Sequence, residues 1–189
     1  MPTQPRTTAQ INARSRLTTQ SAAWRGLTDA QRAAWASFAN SFTVVNSLGA
    51  AIQLTGHQCF VKVNTTNLVN GDSVVTSPPA LPAFVACTVT GLTATAGTPV
   101  FTIQGTTPAG TTKYQIYASP QLSAGVSYNN NFRLITVGTT FTTGNLDIKT
   151  AYVTKFGAVI AGKRIFVKVV QSQAGMQDNG TLFSVIVAT

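Results

Sequence analysis

Hydrophobic positions fall into two regimes along this chain. From Trp24 to Phe42, WRGLTDAQRAAWASFANSF, large apolar residues recur at helical spacing. Trp35, Phe38 and Phe42 lie on one stripe with Ala34 and Ala39 beside them, while Arg32, Ser37 and Asn40 fall elsewhere. Thr28 suits the N-cap. Gln31 three residues later completes T-x-x-Q, a capping box in which each side chain satisfies the other's backbone N–H. Asp29 suits the positive end of the helix dipole. Trp24 sits one short turn ahead, across Gly26. The aromatic stripe can pack on the chain's own core, dock on another subunit, or do both in part.

A second helical pattern follows an irregular connector over 41–53 with Asn-Ser and Leu-Gly turn signals. Phe60, Val63, Asn67 and Leu68 share a helical face, Thr55 can cap, and Asn70-Gly71 makes a stop. Cys59, Val61 and Val63 could instead alternate as a strand; the helix is the preferred reading. Residues 71–83, GDSVVTSPPALPA, hold three prolines and mark the best boundary in the chain.

From residue 84 the period changes to two. Segments rich in Val, Ile, Phe, Tyr and Thr alternate with Gly, Pro and Asn turns. The expected strands are Phe84–Ala94, Pro99–Gly105, Thr112–Ser119, Phe132–Val137 with Thr139–Thr142, Lys163–Gln171 and Leu182–Ala188. QDNGT, around Asp178-Asn179-Gly180, reads as the tight hairpin turn before the last strand. LDIKTAYVTKF, ending before Gly157, breaks the pattern as a short helix crossing between strands. The predicted fold is thus mainly β. An extended basic arm (1–20) and a helical anchoring region with two short helices (21–70) precede a proline-rich linker (71–83) and an antiparallel sandwich (84–189).

Composition narrows the chemistry. Of 189 residues only 9% are charged, against about 25% in an ordinary soluble domain. Short neutral polar residues take their place, as expected of a surface covered by neighbours or of a β-sandwich body. The carboxylates are Asp29, Asp72, Asp147 and Asp178, with no Glu, and His57 is the one histidine. Paired-carboxylate hydrolysis, a Ser-His-Asp triad and a carboxylate metal cage each need several such groups converging. No catalytic residue, cofactor or metal is therefore expected. Cys59 and Cys87 lie far apart with no C-x-x-C, and read as buried free thiols. No apolar run approaches the length of a membrane span. The opening residues have no hydrophobic core of a secretory signal. The sequons at Asn64 and Asn179 then read as chance.

Net charge is +9, which favours an acidic partner. The basic residues are scattered, though Arg6, Arg14, Arg16, Arg25 and Arg32 fall in the N-terminal segment. Residues 1–20, polar and carrying Pro2 and Pro5, cannot bury enough apolar surface to order themselves alone. The arm is accordingly expected to be extended.

Two resemblances follow from these residues. The segment 84–189 looks like a fibronectin-type-III or immunoglobulin-like sandwich in architecture, without the Cys…Trp…Cys spacing. The chain after residue 20 resembles a layout found among uncharacterised phage and prophage virion proteins. Its carriers here are Trp24, Leu27-Thr28, Gln31-Arg32, Ala34-Trp35, Leu54-Thr55-Gly56, Phe60 and Asn64. This resemblance implies a non-enzymatic virion component, homo-oligomeric or multi-copy: an accessory or decoration, minor capsid, connector or tail protein assembled in the host cytoplasm. Its partners would be major capsid, connector or tail proteins. The anchoring residues expected are Arg6, Arg14, Arg16, Trp24, Arg25, Trp35 and Phe38. Two other readings remain open: a carbohydrate- or receptor-binding module displaying Tyr117 and Tyr128, and a capsid-interior protein touching nucleic acid through Arg6, Arg14 and Arg16.

Overall fold

A computed structural model describes residues 7–41, 43–45, 48–96, 100–138 and 140–189. Arg6, Phe42, Pro99 and Thr139, which carried expectations above, lie outside them. The chain divides into two compact units: 1–81 with the tip 174–176, and 82–173 with 177–189. Among the described residues there are four helices and eleven strands, the latter all in antiparallel sheets. The fold is mixed α and β rather than mainly β.

That difference arises largely at the N-terminus. Where an extended arm is expected, α1 runs over Thr8–Arg25. Thr7 Oγ1 accepts from Gln10 N (3.3 Å) and Gln10 Oε1 accepts from Thr7 N (3.2 Å), so T-x-x-Q opens this helix too. No Gly or Pro interrupts 8–25, and Ala, Gln, Arg and Leu are good helix formers. Low apolar content limits what the segment can bury, and local helicity is a separate matter.

α2 spans Asp29–Ala39. Its box closes as expected, with Gln31 Oε1 accepting from Thr28 N (2.9 Å) and Thr28 Oγ1 from Gln31 N (3.3 Å). Within 41–53, expected to be irregular, β1 (Val44–Val45) and β2 (Ala51–Ile52) form a short antiparallel ladder. α3 spans Gly56–Asn70, with a third box between Thr55 and Gln58 and a left-handed Gly71 at its end. Helix thus wins over strand at Cys59–Val63.

Phe60 on α3 is the centre of the first unit. Its ring lies 5.5 Å from Trp24 of α1 and 5.4 Å, edge-on, from Trp35 of α2. Trp35 in turn meets Phe38 edge-on at 5.7 Å. These are the offset geometries that the ring quadrupole prefers. The chain after α3 is strapped onto this cluster. Trp35 Nε1 donates to Thr76 O (2.8 Å), and Asn64 both accepts from Val75 N (2.8 Å) and donates to Val75 O (3.0 Å).

In the second unit, β3 (Val89–Thr95), β4 (Val100–Gly105) and β8 (Asn145–Asp147) make a three-stranded sheet in that order. A six-stranded sheet holds β5 (Lys113–Ala118), β6 (Leu122–Ser123), β7 (Arg133–Gly138), β9 (Lys163–Gln173), β10 (Met176–Gln177) and β11 (Thr181–Ile186). Its order is β10-β9-β5-β7, with β11 and β6 also on β9. The short strands β6, β8 and β10 went unread in the sequence. Conversely, the first expected strand begins at Val89 rather than Phe84. The crossing helix is α4, Lys149–Phe156.

Inward residues of both sheets share one core: Phe101 and Ile103 of β4, Ile116 of β5, and Ile165, Val167 and Val169 of β9. Tyr152 of α4 is buried among them, edge-on to Phe101 at 4.9 Å, with its hydroxyl donating to Ser119 O (3.1 Å). Beyond β11 the chain leaves β9 for the other sheet. Val187 N donates to Lys163 O, and then Ala188 N donates to Ala94 O, making a parallel bridge to Thr95.

The hairpin turn is not where the Asn-Gly pair suggests. The reversal after β9 occurs at Ala174-Gly175, both at positive φ (51° and 75°), the backbone of a type I′ turn. Asp178-Asn179-Gly180 is instead a bulge on the returning strand. Asp178 N donates to Gln171 O while Thr181 already pairs with Val169, so one residue is extra. The Asp178 carboxylate holds the bulge by accepting from Gln171 N (2.8 Å) and Gly180 N (2.9 Å).

Candidate interaction surfaces

The residues expected to anchor a partner separate into interior and surface sets. Trp35 and Phe38 are interior, 0% and 8% exposed, and act as core of the helical unit. Trp24 is half-buried, with its ring also 5.5 Å from the exposed His57. The Thr28–Gln31 box and the Asp29–Arg32 pair (2.9 Å) set the start of α2. Arg32 also donates to Arg25 O (2.8 Å), which fixes the corner between α1 and α2.

Arg14, Arg16 and Arg25 all lie on α1. Its packing against α3 is confined to the C-terminal part, where Gln20 is buried and Arg16, Ser21 and Trp24 are half-buried. Every residue from Thr8 to Ser15 is exposed, Ile11 among them, and α1 carries no acidic residue. This stretch satisfies its own first turn through the Thr7 box but buries nothing in its unit.

The β1–β2 ladder is a second exposed feature. It pairs only Val44 with Ile52 and Val45 with Ala51, and a two-stranded hairpin is marginal on its own in water. Even so it presents apolar side chains, with Val45 70% and Ile52 41% exposed, and Leu48, between the two strands, is 89% exposed. In the second unit Tyr128 is exposed, whereas Tyr117 is half-buried and donates its hydroxyl to Gln115 Oε1 (3.0 Å).

The acidic groups occupy local structural posts. Besides Asp29 and Asp178, Asp147 Oδ1 accepts from Lys149 N (2.8 Å) at the start of α4, where Ile148 cannot cap. Asp72 lies just past α3, where its main-chain N–H donates to Asn67 O. Cys59 is buried, which pushes its thiol up to about 11 against the opposing pull of Lys62; Cys87 is half-buried. Asn64 of the first sequon is buried and committed to Val75. Among the described residues no cluster of three metal-ligating side chains occurs, and no helix is long and apolar enough to cross a membrane. Comparison with known proteins finds no matching family model, no matching curated protein and no matching solved structure.

Proposed function

We propose that this chain is a non-enzymatic structural component of a bacteriophage particle, anchored through its N-terminal helices. The carrying observation is the first half of α1. Thr8–Ser15 forms two capped turns that are exposed on all sides, basic and free of acids. These turns extend a helix that is docked only through its C-terminal part, and they lack the packing of an apolar face from which most helical stability in proteins comes. A partner that covers Ile11 and offers carboxylates to this basic helix, Arg16 included, would supply the missing stabilisation. The exposed apolar β1–β2 ladder gives such a partner a second contact. The carboxylates are dispersed, and those of Asp29, Asp147 and Asp178 are engaged locally, which supports a non-catalytic role.

The second unit is compatible with a fibronectin-III/immunoglobulin-like sandwich. Lettered in chain order, β3, β4 and β8 take the A-B-E places, and β5, β9 and β11 the C-F-G places, with β7 beside β5. In this reading the sandwich is the displayed part and the helical unit is the foot. Neighbouring capsid, connector or tail proteins are the partners, and many copies occupy each particle.

Deleting residues 1–15, which keeps Arg16, Gln20 and Trp24, should abolish incorporation into particles while the remaining fold persists by circular dichroism. A truncated chain that enters particles at normal occupancy would defeat the reading. The acid-free helix also suits contact with packaged DNA. If the full chain binds DNA with a steep salt dependence that the truncation removes, the anchor lies on nucleic acid instead.

A further inference from the structure

The larger sheet carries a cleft that anchoring does not use. On β5 the residues Tyr114, Ile116 and Ala118 face the core, as do Ile165, Val167 and Val169 on β9. Gln115, Tyr117, Lys168 and Val170 therefore belong to the opposite face, by the two-residue period of a strand. There a cleft of about 340 Å³ is lined by Tyr117, Lys168, Gln177 and Asp178, and by Asn130 and Phe132 of the segment leading into β7. That volume is at the small end of the roughly 300–1,000 Å³ typical of ligand sites.

The lining is held in place from behind. Gln115 is fully buried, and its Oε1 accepts from both Tyr117 Oη (3.0 Å) and Gln177 Nε2 (2.5 Å). One buried acceptor thus fixes two lining side chains. Asp178 is fixed by the bulge, its Oδ1 accepting from Gln171 N and Gly180 N. Gly180 sits at φ 72°, and a Cβ there would come within 2.7 Å of Lys168 Cε, so the glycine leaves room for the lysine stem. Burial pushes the Tyr117 phenol up, opposed by the hydrogen bond from Gln177, and keeps it a neutral donor.

The chemistry of the walls selects the ligand. Tyr117, Phe132 and Val170 offer apolar surface. Asn130 and Gln177 offer amides that both donate and accept. Lys168 and Asp178 contribute one charge of each sign, so the lining has no net charge. An anion would face the Asp178 carboxylate, and a purely apolar ligand would leave the amides and both charges unmatched. A ring whose hydroxyls donate and accept, and whose C–H face is apolar, satisfies all of these groups. We propose that this cleft binds a short neutral saccharide.

The test titrates the full chain with glucose, galactose, mannose, N-acetylglucosamine and their soluble oligomers, with glucuronate in parallel, following backbone amides by NMR. At millimolar sugar the amides of Tyr117, Lys168 and Asp178 should move with at least one neutral sugar. Asn130→Ala, at an exposed position, and Phe132→Ala should each weaken that binding by about tenfold while the rest of the spectrum is retained. The proposal is overturned if no neutral sugar or oligomer moves these amides, if only glucuronate does, or if both variants bind like the parent chain. Because incorporation and saccharide binding are read separately on different parts of the chain, failure here leaves the anchoring reading standing.

Discussion

Trp35 Nε1 donates to the backbone carbonyl of Thr76 over 2.8 Å, and this bond fixes the middle of the proline-rich segment to a fully buried indole. The side chain has two separable roles, ring packing and donation. Trp35→Phe keeps most of the ring but drops the donor, and should cost about 1–2 kcal/mol. Trp35→Ala also removes the surface on which Phe38 and Phe60 stand edge-on, and should cost about 3–5 kcal/mol. Urea unfolding followed by circular dichroism separates the two. Equal losses for the two variants would show that the ring contributes nothing beyond the hydrogen bond.

Gly56 opens α3 against the backbone of α2. A Cβ at this position would lie 2.8 Å from Ala36 N and 3.0 Å from Ala36 Cα. Gly56→Ala should therefore push the helices apart and lower stability by about 1–3 kcal/mol, even though alanine is the better helix former. The opposing atoms are main chain, so adding Ala36→Gly should not restore the loss. Thermal unfolding of the single and double variants checks this, and full rescue by the second change would refute the backbone-contact explanation.

Much of this architecture is written locally. T-x-x-Q occurs at Thr7, Thr28 and Thr55, and all three boxes form. The second stands out in the sequence because an aromatic stripe follows it, whereas the polar composition around Thr7 hides the first. Composition reports what a helix can bury; the box and the absence of Gly and Pro report whether it can start and continue. Gly56 was noticed within Leu54-Thr55-Gly56, but its reason, the approach of Ala36, needs the tertiary fold. The cleft was not legible at all. It depends on Gln115 facing outward, on Gln177 reaching it from β10, and on a bulge that Asn179-Gly180 disguised as a turn. Tyr117 was singled out as an aromatic platform, without the amides and charges that surround it.

The turn itself offers a prediction. Ala174 holds φ 51°, a left-handed conformation that costs an alanine roughly 1 kcal/mol and that asparagine tolerates better. It is exposed, so the replacement need not be buried. Ala174→Asn creates the Asn-Gly pair that type I′ turns favour and should stabilise the protein by about 0.5–1 kcal/mol. Asn179→Ala, at the position that only looks like the turn, should change stability by less than about 0.5 kcal/mol. A larger loss at residue 179 than gain at 174, by urea midpoint, would reverse the assignment of turn and bulge.

The two thiols should differ sharply in reactivity, since only the thiolate attacks an alkylating reagent. Cys59 is fully buried and its thiol is pushed from 9.0 to about 11 by burial, with Lys62 pulling the other way. In the folded protein at pH 8, iodoacetamide should label half-buried Cys87 well before Cys59, as read by peptide mass spectrometry. Urea should remove the difference. The same shift links to stability with a definite sign. Below pH 9 the Cys59 thiol is protonated in both states and its contribution is complete. Between pH 9 and about 11 the unfolded chain releases the proton while the folded chain retains it, so stability falls as pH rises. Cys59→Ala deletes the group and should show a shallower decline across that window, though it starts lower because of the cavity. Equal labelling rates for the two cysteines in the folded state, or parallel pH profiles for parent and variant, would contradict the buried, proton-retaining assignment.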